Sequence, residues 1–262
     1  MRSEASKSEL IKRAFRENAD FSRNGDMNSR SNPNAVNLDA ELMYSLAAAV
    51  LSHDRAISDT AVQECINRDI STVQLVDLYI PEVSRLLGAR WSNDAVSFAE
   101  VTIGVARLQS LVRELDRSMA PPREVPFDAP SILLVIPPDT YHTLGAMVAL
   151  SQFRRLGVSV RLLIARDANE VGRTVRDYSF DMVAISASGC ERLEVLRLLV
   201  TKVKAAHKNA PPVVIGGGLL DVEPETQVLT GADFTTTDPK HALLLCGLKV
   251  PYAELEVSSS KV

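Results

Sequence analysis

His142 leaves the carboxyl end of a short apolar run, SILLVI (131–136), through the loop PPDTYHTLG. A neutral imidazole so placed is a good ligand for a transition metal carried in a cofactor; an ordinary solvent-exposed loop residue is the plainer alternative. A second loop, SASGCE, holds Ser186 and Ser188, whose hydroxyls either hydrogen-bond a polar ligand or cap a helix beginning near Glu191. In a third, Gly216, Gly217 and Gly218 follow another apolar run. Glycines there allow another group to approach the backbone or permit positive φ, and a turn alone also explains them. A hydrolase with His142 as base and Ser186 or Cys190 as nucleophile ranks low, because no GxSxG elbow surrounds Ser186 and no carboxylate is clearly placed to orient the imidazole. The other histidines look structural: His53 and His207 near helix ends, where a cation suits the last carbonyls, and His241 at the opening of a final helix.

The elements that must hold these loops follow from periodicity. SILLVI (131–136), VSVRLLI (158–164), FDMVAIS (180–186) and PVVIGG (212–217) are short, β-branched apolar runs, with a weaker fifth at Ala232 to Thr236. Helical segments such as Leu144 to Arg155 and Arg192 to Lys208 separate them. Near-continuous apolar strands alternating with helices specify a doubly wound, flavodoxin-like parallel sheet covered on both faces. Ligands of such α/β sheets bind outside the carboxyl ends of the strands at the switch point, where the three loops lie.

The preceding stretch, 38–117, is helical throughout. Leu42, Met43, Leu46, Val50 and Leu51 form one apolar stripe, and Leu108, Leu111, Val112 and Leu115 another. DTAVQECINR and STVQLVDLYIPEVSRLLGARW supply two more helical pieces, with Pro81 expected to start a new helix or kink the old one. Four amphipathic segments bury their stripes against one another as a small bundle. Ser97 and Glu100 have the spacing of a capping box that opens the last long helix. Residues 118–130 hold four prolines and are expected as a stiff connector and pivot between a cap domain and a sheet domain, 131–250. Residues 1–37, rich in Ser, Asn and Arg, are expected as a flexible arm with a basic stretch around Lys7, Lys12, Arg13 and Arg16, and 251–262 as a tail.

Composition narrows the function. The chain has 262 residues, 46% hydrophobic and 24% charged, and a formal charge of −4, which leaves no cationic excess for phosphates and argues against direct DNA binding. No apolar stretch approaches membrane-spanning length, and the charged start lacks a signal-peptide core, so a cytoplasmic protein without membrane contact is expected. Cys65, Cys190 and Cys246 are odd in number and lack CxxC spacing; they are expected to be reduced and buried.

The series His142-x-x-Gly145, Ser186-x-Ser188 and Gly216-Gly217, after a helical domain, resembles the cobalamin-binding module of methionine synthase, corrinoid methyltransferases and B12-dependent light-responsive regulators. That family's pattern is Asp-x-His-x-x-Gly, Ser-x-Leu and Gly-Gly. The resemblance implies that His142 replaces the dimethylbenzimidazole as lower cobalt ligand, that Thr140, Tyr141 and Gly145 flank it, and that Ser186, Ser188, Gly216 and Gly217 line the slot for the displaced tail. LGARW, ending at Trp91, resembles the cap segment whose tryptophan covers the upper corrin face; its alternative is a core aromatic of the bundle.

Three positions depart from the pattern. Thr140 stands where the family has aspartate, which implies a weaker acceptor for the ligand imidazole and a more exchangeable lower bond. Val101 and Thr102 stand where the family has Glu-His beside the upper ligand, and Glu100, one place short, is either a contact to the cofactor or only the capping glutamate. Ser188 stands where the family has leucine.

Within the superfamily, SFAEVTIGVARLQSLVREL and HTLG resemble the PpaA/AerR family of purple photosynthetic bacteria. The resemblance implies a non-enzymatic, light- or redox-responsive antirepressor that binds a repressor of photosystem genes, with hydroxo- or aquocobalamin favoured over forms with a bulky upper ligand. A corrinoid methyl carrier and a haem sensor on the same His142 are its alternatives.

Overall fold

The computed structural model describes residues 38–52, 54–119, 125–140, 142–189 and 191–251. The expected arm, most of the tail, and the site or cysteine positions Tyr141, Cys190 and His53 lie outside the described residues. The chain divides into two compact units, Met1–Met119 and Ala120–Val262.

The first unit is helical: α1 (Ala40–Leu51), α2 (Arg55–Asn67), α3 (Thr72–Gln74), a π segment (Leu75–Tyr79), α4 (Ile80–Ser92) and α5 (Phe98–Ser118). Asp39 caps α1 by accepting from the Glu41 and Leu42 amides at 2.9 and 3.3 Å. Arg107 closes its other end by donating to the Val50 carbonyl at 2.7 Å and to that of Ser52. Leu42, Leu46 and Val50 are buried, whereas Met43 and Leu51 are half-buried at the margin of the stripe. Leu75 and Val76 from the π segment, Val83 and Leu87 from α4, and Leu108 and Val112 from α5 complete the core. Pro81 starts a helix and disturbs one. It sits in the first turn of α4, and the wider turn before it is closed by the Ile80 amide on the Leu75 carbonyl, where a proline cannot continue the regular ladder.

The second unit alternates strands and helices: β1 (Ser131–Ile136), α6 (Leu144–Arg155), β2 (Ser159–Ile164), α7 (Ala168–Asp177), β3 (Met182–Ser186), α8 (Leu193–Lys204), β4 (Val213–Gly216), α9 (Leu219–Val222), α10 (Thr226–Thr230), β5 (Phe234–Thr235) and α11 (Pro239–Leu245). All pairings are parallel, in the order β2-β1-β3-β4-β5. This is the doubly wound α/β sheet, with its switch point between β1 and β3. Strand alternation divides the core in two. Leu133, Val135, Val183, Ile185, Val213 and Ile215 face α7 and α8, while Ile132, Leu134, Met182, Ala184 and Val214 face Phe153 of α6 and Leu243 of α11.

β2 departs from the expected two-sided burial. It is an edge strand, paired only with β1; none of its residues is fully buried, and Ile164 is exposed. Cys246 departs likewise. Cys65 is buried, but Cys246, at the end of α11, is only half-buried.

Candidate functional site

The loop after β1 is set by a buried Pro137 and a turn through Pro138 and Asp139, where Asp139 takes φ of 59°, a left-handed conformation that aspartate tolerates. The turn carries the chain over the carboxyl end of β1 and delivers His142 just before α6. The His142 side chain is exposed and makes no hydrogen bond among the described residues.

Thr140 is half-buried and turned toward the neighbouring loop, where its hydroxyl donates to Glu191 Oε1 at 3.2 Å. Glu191 also accepts from the Ser188 amide at 2.8 Å, the Gly189 amide at 3.0 Å and the Ser188 hydroxyl at 2.9 Å. Ser188 thus serves Glu191 and does not cap α8, whose N-cap is Arg192 and has no side-chain hydrogen bond. A cleft of about 170 Å³ separates the two loops, lined by Asp139, Thr140 and His142 on one side and Glu191, Arg192 and Val195 on the other. Glu191 is the site residue that sequence reasoning missed. Its only local signal was its place one residue before the N-cap of the helix that follows the second loop.

The other predicted residues of this unit also converge. Ser186 ends β3 and is the register partner of Gly216 at the end of β4. Gly145, in the first turn of α6, faces Ser186: a Cβ built on it would lie 3.9 Å from the serine hydroxyl. Gly216 and Gly217 are close-approach glycines, but what approaches them is the chain itself. A Cβ on Gly216 would lie 2.6 Å from the Thr236 carbonyl oxygen, and one on Gly217, at φ of 105°, only 2.3 Å from that of Ala187. The close approach of Gly217 to Ala187 holds the loops after β3 and β4 together, with the Ala187 amide donating to the Gly216 carbonyl at 2.8 Å.

In the helical unit, Trp91 is 47% exposed near the end of α4, which removes the core-aromatic reading. Glu100 closes the capping box of α5, accepting from the Ser97 amide and hydroxyl at 2.8 and 2.7 Å while Ser97 accepts from its amide at 3.2 Å. The remaining described histidines have hydrogen-bond partners. His207 is hydrogen-bonded to the Val175 carbonyl at 3.0 Å, in the last turn of α7, and His241 of α11 to the Thr236 hydroxyl at 3.2 Å.

No cluster of three or more His, Cys, Asp or Glu side chains able to hold a metal ion is present among the described residues. A metal at His142 would then take one protein nitrogen and bring its other ligands with it, as a macrocycle does. A larger groove, about 440 Å³ between α8 and α10, has no imidazole, thiol or carboxylate on its lining residues and offers no such ligand. The residues after β1 and β3 fit a corrinoid by their chemistry: an imidazole with no hydrogen bond among the described residues, the Ser186 hydroxyl, and a glycine that faces that hydroxyl.

The B12 binding domain family matches residues 130–244. An uncharacterized 20.5 kDa protein in the bchF-crtJ intergenic region of Rhodobacter capsulatus is 35% identical over 160 residues, 61% of this chain and 83% of that protein. The chain belongs to the B12-binding family, of the PpaA/AerR type. Among solved structures, the Methanosarcina barkeri monomethylamine corrinoid protein matches this B12-binding chain with a TM-score of 0.62 at 13% identity, covering 83% of this chain and 98% of that one. At that identity the likeness is one of fold. It bears out a helical region followed by a parallel α/β domain.

Proposed function

We propose that this protein is a cobalamin-dependent antirepressor. His142 would hold the cobalt, Ser186 and Gly145 would border the nucleotide tail, and Trp91 would be an aromatic contact of the cofactor. Cobalamin, when bound, would supply a metal centre whose ligation responds to light and redox state. The chain's own part is to supply one imidazole, to order the three loops around the tail, and to change its hold on a repressor protein with the state of the cofactor. A ligand shifts such an equilibrium only by its differential affinity for the two states. Val101 and Thr102 lack the carboxylate and imidazole that would contact an adenosyl group, so a small upper ligand, hydroxo or aquo, is favoured. The net charge of −4 suits a partner that is a protein and not DNA, and the described helices include none long and apolar enough to cross a membrane. A cytoplasmic, non-enzymatic role follows from the same reading.

The observation that carries this is the exposed imidazole of His142, with no hydrogen bond among the described residues, at the switch point of a B12-binding domain. The test is the absorption spectrum of the full chain reconstituted with hydroxocobalamin, beside a His142→Ala variant. The bound-state shift is expected in the first and absent from the second. The loaded chain is then added to repressor bound to photosystem-gene DNA in a mobility-shift assay, where it should change the bound fraction. No change there, with methylation of the reduced, bound cobalamin by a methyltransferase and its methyl donor, would establish a carrier instead.

A further inference from the structure

We propose that Glu191 is a positioning residue for the metal-ligating imidazole, acting through Thr140 as a hydrogen-bond relay, His142 to Thr140 to Glu191. This rests on the assignment of His142 as a lower ligand. An imidazole that binds a metal through one nitrogen carries a proton on the other and needs an acceptor for it. Thr140, two positions before His142 and on the same cleft, is where the family's pattern has the aspartate.

A threonine hydroxyl has one proton to donate and two lone pairs with which to accept. The proton of Thr140 is committed to Glu191 Oε1 at 3.2 Å, since an ionised carboxylate can only accept. Toward the cleft Thr140 therefore offers lone pairs alone, polarised by a negative charge one hydrogen bond away. Glu191 is itself held by the amides of Ser188 and Gly189 and by the Ser188 hydroxyl. Thr140 and Ser188, the two loop positions that depart from the family's pattern, are thus the two whose hydroxyls converge on one carboxylate. The aspartate missing at 140 is replaced from the neighbouring loop, and the lower ligand is oriented more firmly than Thr140 alone would allow.

Four variants of the full chain test this: Thr140→Val, Thr140→Ser, Glu191→Gln and His142→Ala. Hydroxocobalamin affinity is measured by absorption titration. The fraction of protein with nitrogen bound below cobalt is measured by electron paramagnetic resonance of the Co(II) form, and the Ser188 and Gly189 amides by hydrogen exchange without cofactor. Thr140→Val leaves the carboxylate bound to both amides, so their protection should stay at the wild-type level. Its affinity should nonetheless fall roughly tenfold, with loss of nitrogen-bound Co(II). Glu191→Gln should lose both as well, and Thr140→Ser, which keeps the hydroxyl, should match wild type. Wild-type affinity and nitrogen coupling in Thr140→Val and Glu191→Gln overturn the relay while leaving the site standing. Nitrogen coupling that survives in His142→Ala instead overturns the assignment of the ligand on which the relay depends.

Discussion

The rings of Trp91 and Phe98 lie with centroids 5.9 Å apart and planes inclined by 56°, and both side chains are exposed, Phe98 at 69%. They join the end of α4 to the first residue of α5 and leave an aromatic face on the helical unit that the bundle core does not use. Trp91 is the sole tryptophan of the chain, so its fluorescence reports this face alone. Fluorescence should be quenched as hydroxocobalamin binds. Trp91→Ala should weaken binding while changing unfolding stability by no more than about 1 kcal/mol, because an exposed ring contributes little to the fold. Quenching below one-tenth at saturation would remove Trp91 from the site.

Gly217 and Gly145 should separate folding from binding. Gly217→Ala places a Cβ 2.3 Å from a carbonyl oxygen at φ of 105°, so it should cost about 3 kcal/mol in urea unfolding. Gly145→Ala meets only the Ser186 hydroxyl, at 3.9 Å, so its stability should match wild type within about 0.5 kcal/mol while cobalamin affinity falls. Equal stability in the two variants would contradict the loop packing described above.

Ser97→Ala and Glu100→Ala each break the same capping box and should each cost about 1 kcal/mol in thermal unfolding. Their cobalamin affinities should agree. A Kd that rises only in Glu100→Ala would assign that carboxylate to the cofactor as well as to the cap.

The thiols should be slow to react in the native state. Burial, with Glu64 adding to it, pushes Cys65 up to about 11 from an ordinary value of 9.0; burial, aided by Asp233, does the same for Cys246. Both are therefore protonated near neutral pH, and the thiolate is the reactive form. The folded state holds these protons more tightly than the unfolded chain, so the stability they add is complete below pH 9 and is lost as pH rises from about 9 to about 11. Disulfide-reagent kinetics on a Cys190→Ser variant, with unfolding midpoints across that range, check both statements. Rapid labelling at pH 7 without unfolding would contradict them.

Local chemistry made much of this protein legible from its residues. The run SILLVI and the segment Leu144 to Arg155 are the strand and helix that flank His142, and Ser97 caps the last helix of the bundle. Such features depend on residues within a few positions of one another, through periodicity, caps and turn formers. The switch point followed as well, because strands alternating with helices admit few arrangements.

The tertiary structure alone decided which groups face one another. Thr140 and Glu191 are 51 positions apart, and their hydrogen bond exists because β1 and β3 are neighbours in the sheet. The exposure of β2, including its apolar Ile164, follows from its place at the edge, paired only with β1. Composition likewise could not say whether Trp91 is core or surface, or that Gly217 makes room for the Ala187 carbonyl. Contacts between distant segments depend on sheet order and packing together, which no window of neighbouring residues contains.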